Sequence, residues 1–416
     1  MIVRNWGKGL RFHPHPKGVR LLAPSFAILH VKYHCYNGGY GYEPIIGKCM
    51  RILQTPARLF ATGGVESYVR NLSNELVGMG HQVSIICADT PRDNDVNVRI
   101  ETQFLRTIGK VANTNITPAL PLALLREDFD ILHTHLPTPW SADWSTIVSK
   151  LKNRPLVLTY HSDITGKGLA HHIADAYNLT MLRLLIKNAD KIIIARRGYL
   201  SKHLEGQKEK IAVIPIGVDT RIFRPLVTKK RGDIFFLSVL DEYHEFKGLD
   251  VLLGAIRIAK MGLPDIKLIV GGEGALKEYY MKVSRSMSLS GNVEFVGPVP
   301  QEKLVEYYNS CNLFVLPSTD PTRETFGIVL LEAMACEKPV VATDIAGAAE
   351  DIKANNAGLV VSPGDKEKLA EAMLRILKNQ ELATKMGSAG RGLVEKKYNW
   401  RRVAEQTSKL YEELVR

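Results

Sequence analysis

Residues 323–351 read R-E-T-F-G-I-V-L-L-E-A-M-A-C-E-K-P-V-V-A-T-D-I-A-G-A-A-E-D. The apolar spacing over residues 327–336 predicts a short buried helix. Thr325 is placed to cap its start, and Pro339 closes its far side before a β-branched strand at residues 340–343. Glu324 then lies just outside the helix start, and Glu332 lies on the helix itself. The amides of Phe326, Gly327 and Ile328 point out of the same end, which carries roughly half a positive charge and attracts anions. A carboxylate beside that end, with a second one down the helix, suits a ligand that is part polyol and part phosphate.

Two other readings of the same residues exist. A glutamate at a helix start often only completes the cap, since an acid is favoured there. A glycosidase pair is the other. Counted along a helix, however, eight positions rise by about 12 Å, beyond the roughly 5–9.5 Å that such pairs need.

Outward from this stretch, the chain from Met50 on alternates short apolar runs with helical patterns, as a parallel α/β architecture requires. Strands are expected at residues 52–53, 82–87, 130–135, 155–160 and 191–195, then at 234–239, 267–270, 292–297, 312–317 and 358–361. The first strand leads to Thr62-Gly63-Gly64-Val65 and a helix over residues 66–79. Paired glycines let backbone approach a ligand closely, although a plain turn reads the same way. No Gly-Lys-Ser/Thr follows, so this is not a P-loop. His133 and His135 share a strand face, but no third ligand has suitable spacing and no metal site is expected. Open α/β sheets hold ligands beyond the carboxyl ends of their strands, which directs His161 at a ligand, with a satisfied structural histidine as the alternative. Lys247 stands just before Gly248 and a helix, and Gly271-Gly272-Glu273-Gly274 forms another close-approach turn.

These motifs together resemble glycosyltransferase family 4, the retaining, nucleotide-sugar-dependent transferases with an E-x7-E signature. The match is carried by Glu324, Phe326-Gly327 and Glu332, then E-K-P-V-V-A-T and the Ala346-Gly347 turn. Further support comes from Gly63-Gly64, from T-Y-H-S-D around His161, from the I-P-I-G-V-D hinge at residues 214–219, and from Lys247. The resemblance covers roughly residues 50–416. It implies the GT-B fold: two Rossmann-like α/β domains facing across a cleft, with the C-terminal helix, about 399–416, crossing back to the first domain. Residues 50–220 become the acceptor-side domain and 221–398 the nucleotide-sugar-binding domain. The implied reaction moves a hexose, mannose or glucose, from a UDP-, GDP- or ADP-sugar to a hydroxyl of a glycan, lipid or sugar-phosphate acceptor, with neither cofactor nor metal. The catalytic set carried over is His161, Lys247 and Glu324. Donor contacts fall to Gly63, Gly64, Gly272, Gly297, Phe326, Gly327, Ile328 and, on the ribose, Glu332. The chain departs from the pattern at Ser238-Val239-Leu240, where the family carries an arginine against the diphosphate. Either Lys247 and helix dipoles suffice, or another cation substitutes.

Composition fits this reading. At 416 residues the chain is long enough for two domains, and its 45% apolar and 24% charged content is ordinary for a globular protein. No apolar run approaches the ~20 residues of a membrane helix, and no signal peptide is evident. Five scattered cysteines without C-x-x-C spacing indicate neither disulfides nor zinc, and a reducing cytoplasm is expected. The net charge is +12. Residues 1–49 hold seven Lys or Arg against Glu43, so +6 lies there and +6 in the rest. These 49 residues, rich in His, Pro and Gly, lack any helical or strand period. They are expected to be a disordered basic arm or a misassigned start, with a membrane-touching segment at residues 19–31 as the other reading. The basic balance suits a phosphorylated acceptor or peripheral contact with an anionic membrane at its inner face. Nucleic acid is not expected, since no arginine-rich helix or aromatic-basic motif appears. A sugar-nucleotide epimerase, a phosphorylase or a non-catalytic binding module shares the same fold.

Overall fold

The computed structural model describes residues 48–59, 64–90, 100–111, 114–164, 169–196, 198 and 201–415. Gly63, Arg197 and, but for Lys48 and Cys49, the extension 1–49 lie outside the described residues. In the first half, β1 (Arg51–Thr55) leads to α1 (Gly64–Gly78), β2 (Gln82–Ala88) and β3 (Glu101–Leu105). An antiparallel ribbon of β4 (Gly109–Val111) and β5 (Thr114–Ile116) precedes α2 (Leu120–Arg126), β6 (Ile131–Leu136), α3 (Pro139–Lys152) and β7 (Leu156–Tyr160). Helices α4 (Leu169–Leu179) and α5 (Met181–Asn188) lead to β8 (Lys191–Ile194) and β9 (Ile211–Val213).

The second half repeats the plan. Its strands are β10 (Ile234–Leu237), β11 (Leu268–Gly271), β12 (Val293–Gly297), β13 (Leu313–Leu316), β14 (Val340–Thr343) and β15 (Gly358–Val361). Between them run α6 (Leu249–Gly262), α7 (Lys277–Ser286), α8 (Gln301–Asn309), α9 (Ile328–Ala335) and α10 (Ala349–Ala354). Three helices close the chain: α11 (Lys366–Leu377), α12 (Gln380–Lys397) and α13 (Trp400–Leu414).

The first sheet orders its strands β3-β2-β1-β6-β7-β8-β9 and the second β12-β11-β10-β13-β14-β15, all parallel. Each order reverses once, between β1 and β6 and between β10 and β13, and such switch points open a ligand crevice beyond the strand ends. Central strands such as L-V-L-T-Y (β7) and L-F-V-L (β13) are buried on both faces, so their apolar runs are unbroken; the edge strand β3 is largely exposed. The two-domain α/β reading of the sequence therefore holds.

Two chain crossings run side by side between the sheets. Val218 N donates to Tyr398 O at 2.7 Å, and Val218 bridges Asn399 in parallel. The Asn399 side chain caps α13 by accepting from Arg402 N at 2.9 Å. Helix α13 then enters the first sheet's core, where Trp400, Val403 and Tyr411 join Tyr68 and Val69 of α1. The C-terminal helix thus crosses back as expected. The sequence reading places no element over residues 380–397, where α12 lies. The Gly387 and Gly390 that weaken its helical pattern are the points where it closes on Glu337 and Met334.

A Cβ at Gly217 would lie 2.7 Å from the Trp400 ring and 3.0 Å from Trp400 Cα. Gly217→Ala is expected to cost about 1–3 kcal/mol, as an overpacked site does. Denaturant unfolding measures it, and an unchanged midpoint would show that the crossings are not packed this tightly.

Candidate active site

Past the carboxyl end of β13, the loop from Pro317 to Gly327 turns the chain inward. Asp320 Oδ1 accepts from Thr322 N and Oγ1 at 2.8 and 2.6 Å, and Glu324 N donates to Asp320 O at 3.0 Å. This turn buries Glu324, whose side chain is 1% exposed. A buried carboxylate needs partners. Oε2 receives Ser318 Oγ–H at 2.5 Å and the Lys247 ammonium at 2.8 Å. Ser318 is itself fixed, because its carbonyl accepts from Thr343 Oγ1 at the end of β14.

Lys247 arrives on a short 3-10 turn after β10. That turn docks on the β13 loop through Thr319 N, which donates to Phe246 O at 2.7 Å. The approach is close enough that a Cβ on Gly248, at φ +77, would fall 2.1 Å from Pro317 O. The Lys247 and Arg323 cations each lie 4.8 Å from the Phe246 ring centroid.

Helix α9 starts one step later than the sequence suggests. Its N-cap is Gly327 at φ +79, not Thr325, and no side chain caps it. A left-handed residue there ends the loop sharply, and only glycine takes it without strain. Among the described residues, the amides of Phe326, Gly327 and Ile328 have no hydrogen-bond acceptor, so the helix start keeps the open donors that bind anions. Glu332 lies on α9, but Glu324 does not, so their separation is no helical rise. They share no partner: Glu332 accepts from Tyr308 O–H at 2.6 Å. Burial pushes the half-buried Glu332 carboxyl up to about 7, against the pull of that hydrogen bond.

The remaining predicted residues fall into two places. Gly272 N donates to Gly297 O at 2.8 Å, which joins the ends of β11 and β12 beside the Glu273–Lys277 pair at 2.9 Å. On the first sheet, His161 stands just past β7, and Gly64 opens α1. Residues from the two halves also touch. Arg196, just past β8, donates from Nη2 to Glu324 O at 2.9 Å and from Nε to Thr325 O at 3.2 Å. Arg196 follows the expected strand 191–195 and has no role in the sequence analysis. Sequence reasoning has no signal for Ser318 or Tyr308, whose partners come from distant elements. Val239, where an arginine was expected, is 49% exposed and apolar.

Residues 62–222 match the description "Glycosyltransferase Family 4", and residues 219–393 match "Glycosyl transferases group 1". The chain belongs to glycosyltransferase family 4. This glycosyltransferase is 27% identical over 370 residues to the phosphatidyl-myo-inositol mannosyltransferase of Mycobacterium tuberculosis, covering 84% of this chain and 93% of that one. It is 26% identical over 391 residues to the D-inositol 3-phosphate glycosyltransferase of Corynebacterium diphtheriae, covering 84% and 89%. Its fold is similar to that of Anabaena HepE in complex with UDP and glucose, with a TM-score of 0.69, 18% identity and coverage of 88% and 100%.

The raised Glu332 pKa gives the transferase a pH signature. Between its ordinary 4.5 and about 7, the fold holds a proton that the unfolded chain has released, so stability falls as pH rises through that window. Glu332→Gln is expected to remove this share of the fall, read from denaturant midpoints across the window. Equal slopes in both proteins would contradict it.

Proposed function

We propose that the enzyme is a retaining hexosyltransferase that takes mannose or glucose from a UDP-, GDP- or ADP-sugar and delivers it to a hydroxyl. The observation that carries the reading is the buried Glu324–Lys247 pair at 2.8 Å, set beside the open amides that start α9. In this proposal Glu324 and the amides of Phe326, Gly327 and Ile328 take the donor sugar. Glu332 accepts the ribose hydroxyls, and the Gly272–Gly297 turn pair lies against the base and diphosphate. Lys247 meets the diphosphate, where negative charge develops as the sugar–phosphate bond breaks. Arg196, already on the Glu324 and Thr325 carbonyls, supplies the second cation that Val239 does not. His161, with Gly63 and Gly64, faces the sugar and acceptor from the first domain, residues 50–220. Residues 221–398 form the donor domain. Closing one on the other keeps out the water that would hydrolyse the donor.

The acceptor is proposed to be a hydroxyl-bearing glycan, lipid or sugar phosphate. The names of the mannosyl- and inositol-phosphate glycosyltransferases support one that joins a polyol to a phosphate. At the first sheet's switch point, Pro56, Ile86, Pro137 and Trp140 line a small cavity of about 20 Å³, close to the room that one water needs. Asn115 lines it with a buried Oδ1 that has no partner among the described residues. No charged side chain lines this cavity among the described residues. Leu122, Leu125, Leu151 and Leu184 on α2, α3 and α5 are exposed, as are Lys150, Arg183 and Lys187 on α3 and α5. That mixture supports peripheral contact with the inner face of an anionic membrane. No described helix is long and apolar enough to cross one. The buried thiols of Cys87, Cys311 and Cys336, which form no disulfide among the described residues, support a cytoplasmic setting.

Glu324→Ala and Lys247→Ala are each expected to lower turnover by roughly 10²–10³, as loss of one electrostatic stabiliser does. Turnover with a UDP-, GDP- or ADP-hexose, beside thermal melts that confirm folding, measures this. Near wild-type turnover of folded Lys247→Ala would remove that residue from the mechanism, and a product of inverted anomeric configuration would refute retention.

A further inference from the structure

A chain of imidazoles runs behind His161, and none of the roles above uses it. His133 and His135 on β6 both face the layer formed by α1 and α13. Their rings lie 4.5 Å apart, and the His135 and His161 rings are stacked at 5.6 Å. Tyr68 of α1 closes edge-on over His135 and His161, at 5.9 and 4.8 Å. His133 is held at both nitrogens, by Tyr411 Oη and Thr159 Oγ1, each at 2.6 Å. His135 Nε2 lies 2.8 Å from Gln54 Oε1, and its Nδ1 lies 3.3 Å from His161 Nε2. Gln54, His133 and His135 are fully buried, and of the three imidazoles only His161 is partly exposed.

Hydrogen-bond chemistry gives this row a direction. Burial holds all three imidazoles well below their usual range, His133 at about 3 and His161 at about 4, so each is neutral at physiological pH and carries a single N–H. A carbonyl oxygen only accepts, so His135 must carry its proton on Nε2. Its Nδ1 is then bare and accepts from His161 Nε2–H, which leaves Nδ1 of His161 without a proton. The Gln54 Nε2 is buried and has no partner among the described residues, so the amide oxygen facing His135 is its one satisfied end. Reversing that amide would reverse each imidazole in turn and convert His161 Nδ1 into a donor.

We propose that Gln54 and His135 are positioning residues that fix the ring and tautomer of His161, so that its Nδ1 accepts a hydrogen bond from a hydroxyl of the donor sugar or acceptor. The role assigned to that hydroxyl rests on the transferase reading, whereas the tautomer does not. A neutral acceptor at this place orients a hydroxyl without competing for the diphosphate as a cation would. Loss of the support leaves His161 present but free to turn, and small misplacements of that kind cost rate rather than affinity.

Two measurements test it. Nitrogen-15 NMR of histidine-labelled protein should find His161 protonated at Nε2 and bare at Nδ1. Gln54→Met should turn that single state into a mixture. Protonation of His161 at Nδ1 in the wild type, or an unchanged spectrum in Gln54→Met, overturns the proposal even if no sugar nucleotide is ever turned over. In the active enzyme, His135→Phe should lower kcat by roughly 10–100-fold with donor KM within about threefold. In a His161→Phe background the same change should alter the rate by less than about twofold. Equal losses with and without His161 would show that His135 acts through the fold alone. Gln54→Met repeats the cycle if melting shows His135→Phe to be unfolded. Absence of turnover in the wild type would instead count against the transferase reading and leave the tautomer result standing.

Discussion

A carboxylate taken out of water has to be met by charge and hydrogen bonds, and the arrangement around Glu324 is built to meet it. Lys247 comes from the turn after β10, Ser318 from the end of β13, and Thr343 holds Ser318 from β14. Groups following two adjacent strands therefore converge on a single oxygen, and the next strand, β14, fixes one of them. Removing one partner of a buried pair commonly costs about 3–5 kcal/mol, because the other charge is left stranded. The backbone is shaped to the same end. Gly248 allows the lysine turn to press on Pro317, and Gly327 ends the loop so that α9 begins with open amides. A carboxylate, a cation and bare N–H groups are thereby held at one strand end as a polar surface whose groups are already oriented.

The first sheet contributes the opposing surface by the same topological rule. Its switch point opens beyond β1 and β6, and His161 projects from the neighbouring β7. Two devices tie the halves together. The crossings at Val218 and Tyr398 lie side by side and carry α13 into the first core, while Arg196 reaches the carbonyls of Glu324 and Thr325. The crossing segments are joined by the Val218–Tyr398 hydrogen bond, and the Arg196 contact falls on the loop that carries Glu324.

Much of this was legible in the sequence because buried parallel strands are written as short unbroken apolar runs. V-V-A-T at 340–343 and G-L-V-V at 358–361 fall at the expected residues, and α8 spans the expected 301–309. Helix α13, at Trp400–Leu414, falls within the expected C-terminal helix of about 399–416. Elements whose signal is tertiary were not legible. Glycines conceal α12, although they are the surface it needs against α9. Thr325 has the chemistry of a cap, yet the left-handed turn at Gly327 decides where α9 starts. H-T-H invites a metal reading. The structure instead satisfies His133 and His135 with a tyrosine, a threonine, a glutamine and a third histidine, three of which lie on other strands or on α13. Ser318 and Arg196 matter through partners that no local pattern names.

The central claim is that the surface beside Glu324 grips an activated sugar, and calorimetric titration tests it most directly. Folded enzyme titrated in turn with UDP-, GDP- and ADP-linked glucose and mannose should release or absorb heat with at least one of them, and Glu324→Gln should weaken that binding. Folded protein that gives no heat with any of the six would contradict the account.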